Sequence, residues 1–314
     1  MRSGDHLVSS SFLFGNTNSL FGSFDVHGID VSFVDATDVK AVESALTEHT
    51  KMVFVETIAN PRTQVSDLEA IGALCRDQGI VYIVDNTMTS PYLFHPIDVG
   101  ASLVVNSLTK YICGHGNALG GAITDTGQYD WSSYARIEEV YKKGDSSKWG
   151  MTQIRKKGLR DFGAALGAEA AHHISIGSET LALRLEKQSA SAQTLAEFLD
   201  DHEKVSNVYY PGLSHHPQFQ RSAQLFRKPG ALFSFELNQE LEPFDFLNRL
   251  KVVIKSSNLG DNRTLAIPVS QTIYYEMGPA RRKEMGIAES LIRISVGIEE
   301  IDDLIEDFRT ALES

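Results

Sequence analysis

The alternation of apolar, strand-like runs with helix-like segments restricts the fold of this chain more than any other feature of its sequence. Apolar runs at 51–57, 80–86 and 101–107 each contain valines, and the segment at 66–79 between two of them has apolar residues at helical spacing. Strands that are apolar almost throughout are typical of a parallel sheet buried on both faces. The sequence therefore predicts an α/β fold with a mainly parallel sheet and helices on both faces of it.

The same spacing rules place the remaining elements. Asp38 is suited to cap a helix at its first turn. Ser66 and Glu69 form a capping box at the start of the helix over 66–79, and Gly79 can end it. Strands are also predicted at 29–36, 120–124, 230–237 and 290–298. Helices are also predicted at 38–50, at 165–202 as one long or two consecutive helices, and at 301–312, where Ile301, Leu304, Ile305 and Phe308 share one face.

This order of elements predicts three parts of the chain. Residues 1–164 form a large domain around the parallel sheet, residues 165–202 form linking helices, and residues 203–314 form a smaller α+β domain. A polar, basic stretch at 141–158 interrupts the pattern. It is either a solvated loop or helix face, or else a flexible active-site flap or a subunit contact.

Charge and cysteine content exclude several classes of function. The net charge is −12, and a chain so acidic repels a phosphate backbone, so we expect no nucleic-acid partner. Cys75 and Cys113 cannot build a disulfide framework and are expected to be reduced, which suits a cytoplasmic protein. No apolar run reaches membrane-spanning length, so no membrane partner is expected. The histidine pairs at 172–173 and 215–216 are adjacent rather than helically spaced, so no metal site is expected.

Polar side chains follow three of the predicted strands at the point where each strand ends. Asn60 comes after the strand at 51–57, Asp85 ends the strand at 80–86, and Lys110 follows the strand at 101–107. In open parallel sheets, ligands bind beyond the carboxyl ends of the strands. We therefore expect these three side chains to face one crevice.

The residues in this crevice match the needs of pyridoxal 5'-phosphate. That cofactor needs a lysine amine for a Schiff base, a carboxylate on the ring nitrogen and hydrogen-bond donors for its phosphate. Lys110 and Asp85 supply the first two, and Ser107 with Thr109 supply the third. Asn60 can donate to the phenolic oxygen of the cofactor.

Longer motifs give a family resemblance. "DNT" at 85–87, "SLTKY" at 107–111 and "RISVGIE" at 293–299 are typical of the Cys/Met-metabolism (trans-sulfuration) family of fold-type I pyridoxal phosphate enzymes. This family includes cystathionine gamma-synthase, cystathionine lyases, methionine gamma-lyase and the homoserine-ester sulfhydrylases, and the resemblance implies an aspartate aminotransferase-like fold. Similar segments follow in family order at 4–17, 53–61, 84–116, 158–167, 179–184, 208–213, 258–265 and 291–304.

The resemblance implies roles for individual residues. Lys110 resembles the Schiff-base lysine, which also serves as the mobile general base. Arg293 resembles the arginine that binds the substrate carboxylate, although a structural ion pair is the alternative. Asn258 lies where the family places a serine or asparagine near that carboxylate, as in the O-acetylhomoserine sulfhydrylase branch. Phe14 stands where many members have a tyrosine stacked on the cofactor ring, and it cannot serve as an acid or base.

The implied reaction is replacement or elimination at the β- or γ-carbon of a sulfur amino acid or homoserine ester, as in cystathionine gamma-synthase or an O-acyl-homoserine sulfhydrylase. Phe14 and Asn258 favour replacement slightly, and a cystathionine or methionine lyase is the alternative. The stretch at 265–278 lacks the histidines usual in the family, so we expect an unusual substrate specificity. Family members form homo-oligomers, so a dimer or tetramer is expected.

A second alternative follows from the start of the chain. In the family, a longer segment that contributes to phosphate binding precedes the motif matched at 4–17, so we expect the chain to be N-terminally incomplete. Each charge-assisted hydrogen bond lost to the phosphate would cost about 1.5–3 kcal/mol. The alternative is therefore an inactive family member that acts only as a binding or assembly partner.

Overall fold

The computed structural model of the chain describes residues 1–238 and 241–314, whose strands form two sheets. The first sheet contains β1 (His6–Ser10), β2 (Asp30–Val34), β3 (Thr50–Glu56), β4 (Val81–Asp85), β5 (Leu103–Ser107) and β6 (Gly121–Asp125). Its strand order is β2-β1-β3-β4-β5-β6, and every neighbouring pair is parallel except β5 and β6. This confirms the prediction of a mainly parallel sheet.

The helices of the first sheet begin and end for local reasons. They are α1 (Gly15–Gly22), α2 (Val39–Ser44), α3 (Leu68–Gln78) and α4 (Ser90–Leu93), with 3-10 helices at Ser23–His27 and Pro96–Val99. Asp38 caps α2 by accepting the N–H of Lys40, and Gly79 ends α3 in the left-handed conformation, both as predicted. The prediction of a capping box at α3 is wrong, because the Ser66 hydroxyl donates instead to the main-chain oxygen of Glu56.

The central strand β1 was not predicted from the sequence. It lies between β2 and β3, and all five of its residues are buried although three are polar. His6 satisfies its ring nitrogens in the core, with Nδ1 lying 2.8 Å from the Thr50 hydroxyl and Nε2 3.0 Å from the Ser32 hydroxyl. Hydrogen bonds between neighbouring strands thus allow a partly polar segment to occupy the middle of the sheet.

The linking region contains two consecutive helices, which is one of the two predicted alternatives. They are α6 (Ala168–Ser178) and α7 (Leu181–Asp200). Before residue 165 lie 3-10 helices at Trp131–Ser133, Glu139–Tyr141 and Ser146–Lys148, followed by α5 (Trp149–Gln153) and a π-helix (Ile154–Phe162). The basic stretch at 141–158 therefore ends in helical turns. The division of the chain into three parts at residues 164 and 202 stays a prediction.

The second sheet is built around an aromatic core. It contains β7 (Val205–Tyr209), β8 (Leu232–Leu237), β9 (Ile254–Lys255), β10 (Leu265–Pro268) and β11 (Leu291–Ser295), with α8 (Phe219–Leu225), α9 (Pro243–Arg249), a 3-10 helix (Tyr275–Met277), α10 (Gly278–Glu284) and α11 (Ile301–Glu313). The strand order is β7-β8-β11-β10-β9. Leu304 and Phe308 of α11 are buried against Phe235 and Phe246, which confirms the predicted apolar face of that helix. Within 1–238 and 241–314, no helix has both the length and the apolar character needed to cross a membrane.

Candidate active site

A cavity of about 160 Å³ opens beyond the carboxyl ends of β3, β4 and β5. Its lining includes five residues that the sequence singled out: Phe14, Asn60, Asp85, Ser107 and Lys110. The last residues of three neighbouring parallel strands meet here, as expected for this class of sheet. The structure therefore brings the predicted strand-end residues into one crevice.

Asp85 is held by the turn that follows its strand. Its Oδ1 accepts the N–H of Thr87 at 2.9 Å, and the Thr87 hydroxyl in turn accepts the N–H of Ser107 at 2.8 Å. Burial raises the pKa of Asp85, while the two hydrogen bonds from Thr87 act in the opposite direction. A carboxylate in such a setting gains strongly from a cationic donor, such as a protonated ring nitrogen.

Lys110 lies in the turn after β5, and its side chain reaches Asn258 in the loop before β10. Its Nζ donates to Oδ1 of Asn258 at 2.6 Å. Burial, assisted by the charge of Arg293, lowers the pKa of Lys110 to about 8. The unprotonated fraction of this amine near neutral pH is therefore far larger than that of an ordinary lysine, and the unprotonated form is the one that a nucleophilic lysine requires.

Arg293, on β11, is almost fully buried, with 1% of its surface exposed. Its guanidinium donates to Oδ1 of Asn60 at 3.3 Å and to the main-chain oxygens of Ser257 and Asn258, both at 2.9 Å. All three acceptors are neutral, and Nε has no partner. Burial lowers the pKa of Arg293 to about 10, so the side chain is a cation suited to receive a carboxylate.

Asn60 presents an unused donor to the cavity. Its main-chain oxygen accepts the hydroxyl of Tyr274 at 2.7 Å, and its Oδ1 accepts Arg293. Its Nδ2 is buried without a hydrogen-bond partner. A buried amide N–H normally has an acceptor, so this atom fits the phenolic oxygen of pyridoxal phosphate.

Three further predicted residues, Phe14, Ser107 and Thr109, differ in their positions relative to the cavity. Phe14 is 36% exposed and lines the cavity, and its N–H donates to Oε1 of Glu56 at 2.8 Å. The Thr109 hydroxyl accepts the N–H of Gly120 at 3.0 Å and lies 3.3 Å from the oxygen of the same glycine. Ser107 is thus part of the cavity lining, whereas Thr109 ties its turn to the start of β6.

Sequence reasoning gave no role to several residues of this region, among them Glu56, Thr87 and Tyr274. Glu56 ends β3 as Asp85 ends β4, so the rule of strand ends would have found it. Thr87 lies two residues after Asp85 and links it to Ser107. Tyr274 reaches the site only through the folding of distant segments, and no local signal in the sequence indicates it. In the ranges 1–238 and 241–314, no group of three or more His, Cys, Asp or Glu side chains could hold a metal ion.

The residues that line the cavity fit the ring and the covalent attachment of pyridoxal phosphate. Lys110, with an amine of lowered pKa, Asp85, Asn60 with an unused amide N–H, and the Phe14 ring belong to one cavity lining. The buried cation of Arg293 contacts this lining through Asn60 and Ser257. The amine suits covalent attachment of the cofactor, the carboxylate suits its ring nitrogen, the amide N–H suits its phenolic oxygen and the aromatic ring suits its ring face. The buried cation suits the carboxylate of an amino acid.

Comparisons with known proteins agree with this fit. A family model described as "Cys/Met metabolism PLP-dependent enzyme" matches residues 1–313. The chain is 34% identical over 336 residues to the O-acetyl-L-homoserine sulfhydrylase of Leptospira meyeri, a match that covers 100% of this chain and 76% of the relative. It is 35% identical over 317 residues to the L-methionine gamma-lyase of Fusobacterium nucleatum subsp. polymorphum, covering 100% of this chain and 75% of the relative.

Solved structures give the same result for the fold. Cystathionine gamma-lyase from Lactobacillus plantarum, complexed with L-serine, is similar with a TM-score of 0.89 and 30% identity, covering 100% of this chain and 77% of that one. A Campylobacter jejuni protein described as an O-acetylhomoserine (thiol)-lyase, with N'-pyridoxyl-lysine-5'-monophosphate, has a TM-score of 0.91 and 29% identity, covering 100% of this chain and 78% of that one. The chain thus spans about three quarters of the length of these relatives.

Proposed function

The chain belongs to the Cys/Met metabolism family of PLP-dependent enzymes, and from that premise we propose that it replaces the acyloxy group of a homoserine ester with a sulfur nucleophile and releases a carboxylate. The observation that carries this choice is the phenylalanine at position 14, which lines the cavity without a hydroxyl. A phenyl ring can stack on a cofactor but can neither donate nor accept a proton. Replacement is therefore favoured over reactions that need an acid at this position.

The residues of the cavity would hold the cofactor at distinct points. When bound, pyridoxal phosphate supplies an electron sink that stabilises negative charge on the carbon atoms of an amino acid. The proposed holding residues are Lys110 for covalent attachment, Asp85 for the ring nitrogen, Asn60 for the phenolic oxygen, Ser107 for the phosphate and Phe14 for the ring face. The family resemblance adds Thr109 as a second phosphate contact, although its hydroxyl here bonds to Gly120 outside the cavity lining.

Proton movement would depend on Lys110. Its Nζ has a pKa of about 8, so it can both accept and return a proton near neutral pH. Its hydrogen bond to Asn258 Oδ1 shows where the amine can rest within the site. We therefore assign to Nζ the transfer of protons to and from the carbons of the substrate.

Substrate binding would depend on Arg293 and Asn258. The buried guanidinium is bonded to neutral oxygens, and its planar fork suits the two oxygens of an amino-acid carboxylate. Asn258 contacts both Lys110 and Arg293, since its side chain accepts from the first and its main-chain oxygen accepts from the second. It would thus keep the base and the carboxylate site at a fixed separation.

A lyase reaction is the second candidate, because the similar proteins include L-methionine gamma-lyases as well as sulfhydrylases. The two reactions consume different substrates. The sulfhydrylase converts O-acetyl-L-homoserine and sulfide into homocysteine and acetate, whereas the lyase converts L-methionine and water into a thiol, ammonia and a 2-oxo acid.

One experiment separates these reactions. The purified chain, loaded with pyridoxal phosphate, is given O-acetyl-L-homoserine with sulfide, and separately L-methionine or cystathionine. Homocysteine formed faster than any 2-oxo acid supports the proposal, and the reverse supports the lyase. If the chain does not load the cofactor and forms neither homocysteine nor a 2-oxo acid, the result would support an inactive family member that acts only as an assembly partner. Lys110→Ala is the control, because it removes the proposed base from an otherwise intact cavity.

We also propose that the chain assembles with further copies of itself. Residues 159–169 are all exposed, and Phe162 exposes 91% of its surface. Leu119 and Leu183 expose 79% and 74% of theirs. Large apolar side chains exposed in this way favour burial against a partner. A cytoplasmic location stays a prediction from the sequence.

Light scattering tests this assembly. A dimer or tetramer is expected, and Phe162→Asp should shift it toward the monomer because it places a charge in the contact. Thr194→Asp, at an exposed position of α7, is the matched control. A monomer at every concentration of the loaded protein would contradict the proposal.

A further inference from the structure

Glu56 is a buried carboxyl group in the candidate active site to which the proposed function gives no role. It is the last residue of β3, lies directly beside Asp85 in the sheet register, and lines the same cavity. Only 6% of its surface is exposed. A carboxyl group in such a position is costly unless it is neutral or well bonded.

The contacts of Glu56 join two separate parts of the site. Its Oε1 accepts the N–H of Phe14 at 2.8 Å, and Phe14 is the N-cap residue that directly precedes α1. The hydroxyl of Ser66 donates to the main-chain oxygen of Glu56 at 2.8 Å. The side chain therefore ties the segment that carries the Phe14 ring to the rigid end of β3.

The charges around Glu56 decide its protonation. Burial, and secondly the neighbouring Asp85, raise the pKa of Glu56 well above its ordinary value. Tyr274 faces Glu56 from the loop after β10, and Lys110 lines the cavity from the turn after β5 but gives its hydrogen bond to Asn258. Of the two neighbouring carboxyl groups, Asp85 receives hydrogen bonds from both the N–H and the hydroxyl of Thr87, which favour its charged form.

We propose that Glu56 is a positioning residue: in its neutral form it holds Phe14 against the cofactor cavity and leaves Asp85 as the charged partner of the ring nitrogen. A neutral carboxyl keeps a carbonyl oxygen that can accept the Phe14 N–H. It also avoids placing two negative charges side by side in the sheet. The inference rests on the proposed function, because it assumes that the cofactor occupies this cavity.

The test compares two substitutions of similar size. Glu56→Gln keeps a neutral carbonyl acceptor, so pyridoxal phosphate should bind within about threefold of the wild-type Kd. Glu56→Leu removes the acceptor and should weaken binding by about tenfold or more. The visible circular dichroism of the bound cofactor should change in the Leu variant and be retained in the Gln variant, because it reports how the ring is held.

A double-mutant cycle identifies the route of the effect. If Glu56 acts through the Phe14 ring, then adding Glu56→Leu to Phe14→Ala should change the Kd by less than about twofold, since the ring is already absent. Glu56→Met replaces Glu56→Leu if the latter does not fold.

The outcomes separate this inference from the proposed function. Binding by Glu56→Gln as weak as that of Glu56→Leu, or an undiminished effect of Leu in the Phe14→Ala background, would overturn the role of Glu56 while leaving the cofactor site intact. An unchanged Kd and circular dichroism in Glu56→Leu would likewise overturn the role of Glu56 while leaving the cofactor site intact. Failure of the wild-type chain to load the cofactor would overturn both.

Discussion

Replacement of Arg293 by leucine should reduce kcat/KM for an amino-acid substrate far more than it reduces cofactor binding. The wild-type guanidinium is buried behind the cavity, and its acceptors are three neutral oxygens. Leucine removes the cation and leaves Oδ1 of Asn60 and the main-chain oxygens of Ser257 and Asn258 without this donor. The side chain is therefore an effective point at which to test the proposed carboxylate site.

The expected magnitude follows from the hydrogen bonds that a substrate carboxylate would make. A fork of two charge-assisted bonds is worth about 3–6 kcal/mol, at about 1.5–3 kcal/mol for each bond. Since about 1.4 kcal/mol corresponds to a factor of ten, kcat/KM should fall by about 10²–10⁴-fold. Arg293→Lys keeps the positive charge but loses the two-pronged guanidinium, so its kcat/KM should lie between those of the wild type and the leucine variant.

The assay compares O-acetyl-L-homoserine with its carboxamide, in which the carboxylate is absent. Wild-type enzyme should prefer the carboxylate strongly, and Arg293→Leu should lose most of that preference. The apparent Kd for pyridoxal phosphate serves as the control, because Arg293 is not proposed to hold the cofactor. An equal loss on both substrates would show that the residue only supports Asn60 and its neighbours, and would refute the assignment.

Three further predictions test the electrostatics and packing of the chain. The rate of covalent attachment of pyridoxal phosphate, measured by stopped-flow absorbance, should rise with pH and level off above about pH 8. The reason is that burial lowers the pKa of Lys110 to about 8 and only the unprotonated amine reacts. Gly177→Ala should lower the free energy of unfolding, measured in urea, by about 1–3 kcal/mol, because the added Cβ would lie 2.7 Å from the carbonyl carbon of Cys113. The control is Gly167→Ala, whose Cβ would meet nothing within 4 Å and which should change the free energy of unfolding by less than about 0.5 kcal/mol. Cys75 should resist a thiol reagent in the folded chain, since burial raises its pKa to about 12, and should react fully in denaturant.

The parts of the fold that the sequence predicted are those with regular apolar patterns. β3, β4 and β5 are apolar runs, and α11 carries an apolar face, so periodicity alone located them. β1 escaped because its burial depends on hydrogen bonds from His6 to side chains on β2 and β3, which lie far away in the sequence. Local patterns do not contain such pairings.

The candidate site divides in a similar way. Asp85 and Lys110 follow from the geometry of parallel sheets, because strand ends must meet at one edge. Arg293 comes from the second sheet and was found only through a family motif. Glu56 carries the same strand-end signal as Asp85, but a glutamate at the end of a strand is ordinarily a surface charge. Its burial beside a second carboxyl group becomes visible only once β3 and β4 are paired.

Covalent labelling of Lys110 tests the central claim most directly. The purified chain is incubated with pyridoxal phosphate, its visible spectrum is recorded, and the complex is reduced with borohydride and mapped by peptide mass spectrometry. The account predicts a visible absorption band and a label confined to Lys110, both absent in Lys110→Ala. No band, or a label distributed over surface lysines, would contradict the assignment of this cavity as the cofactor site.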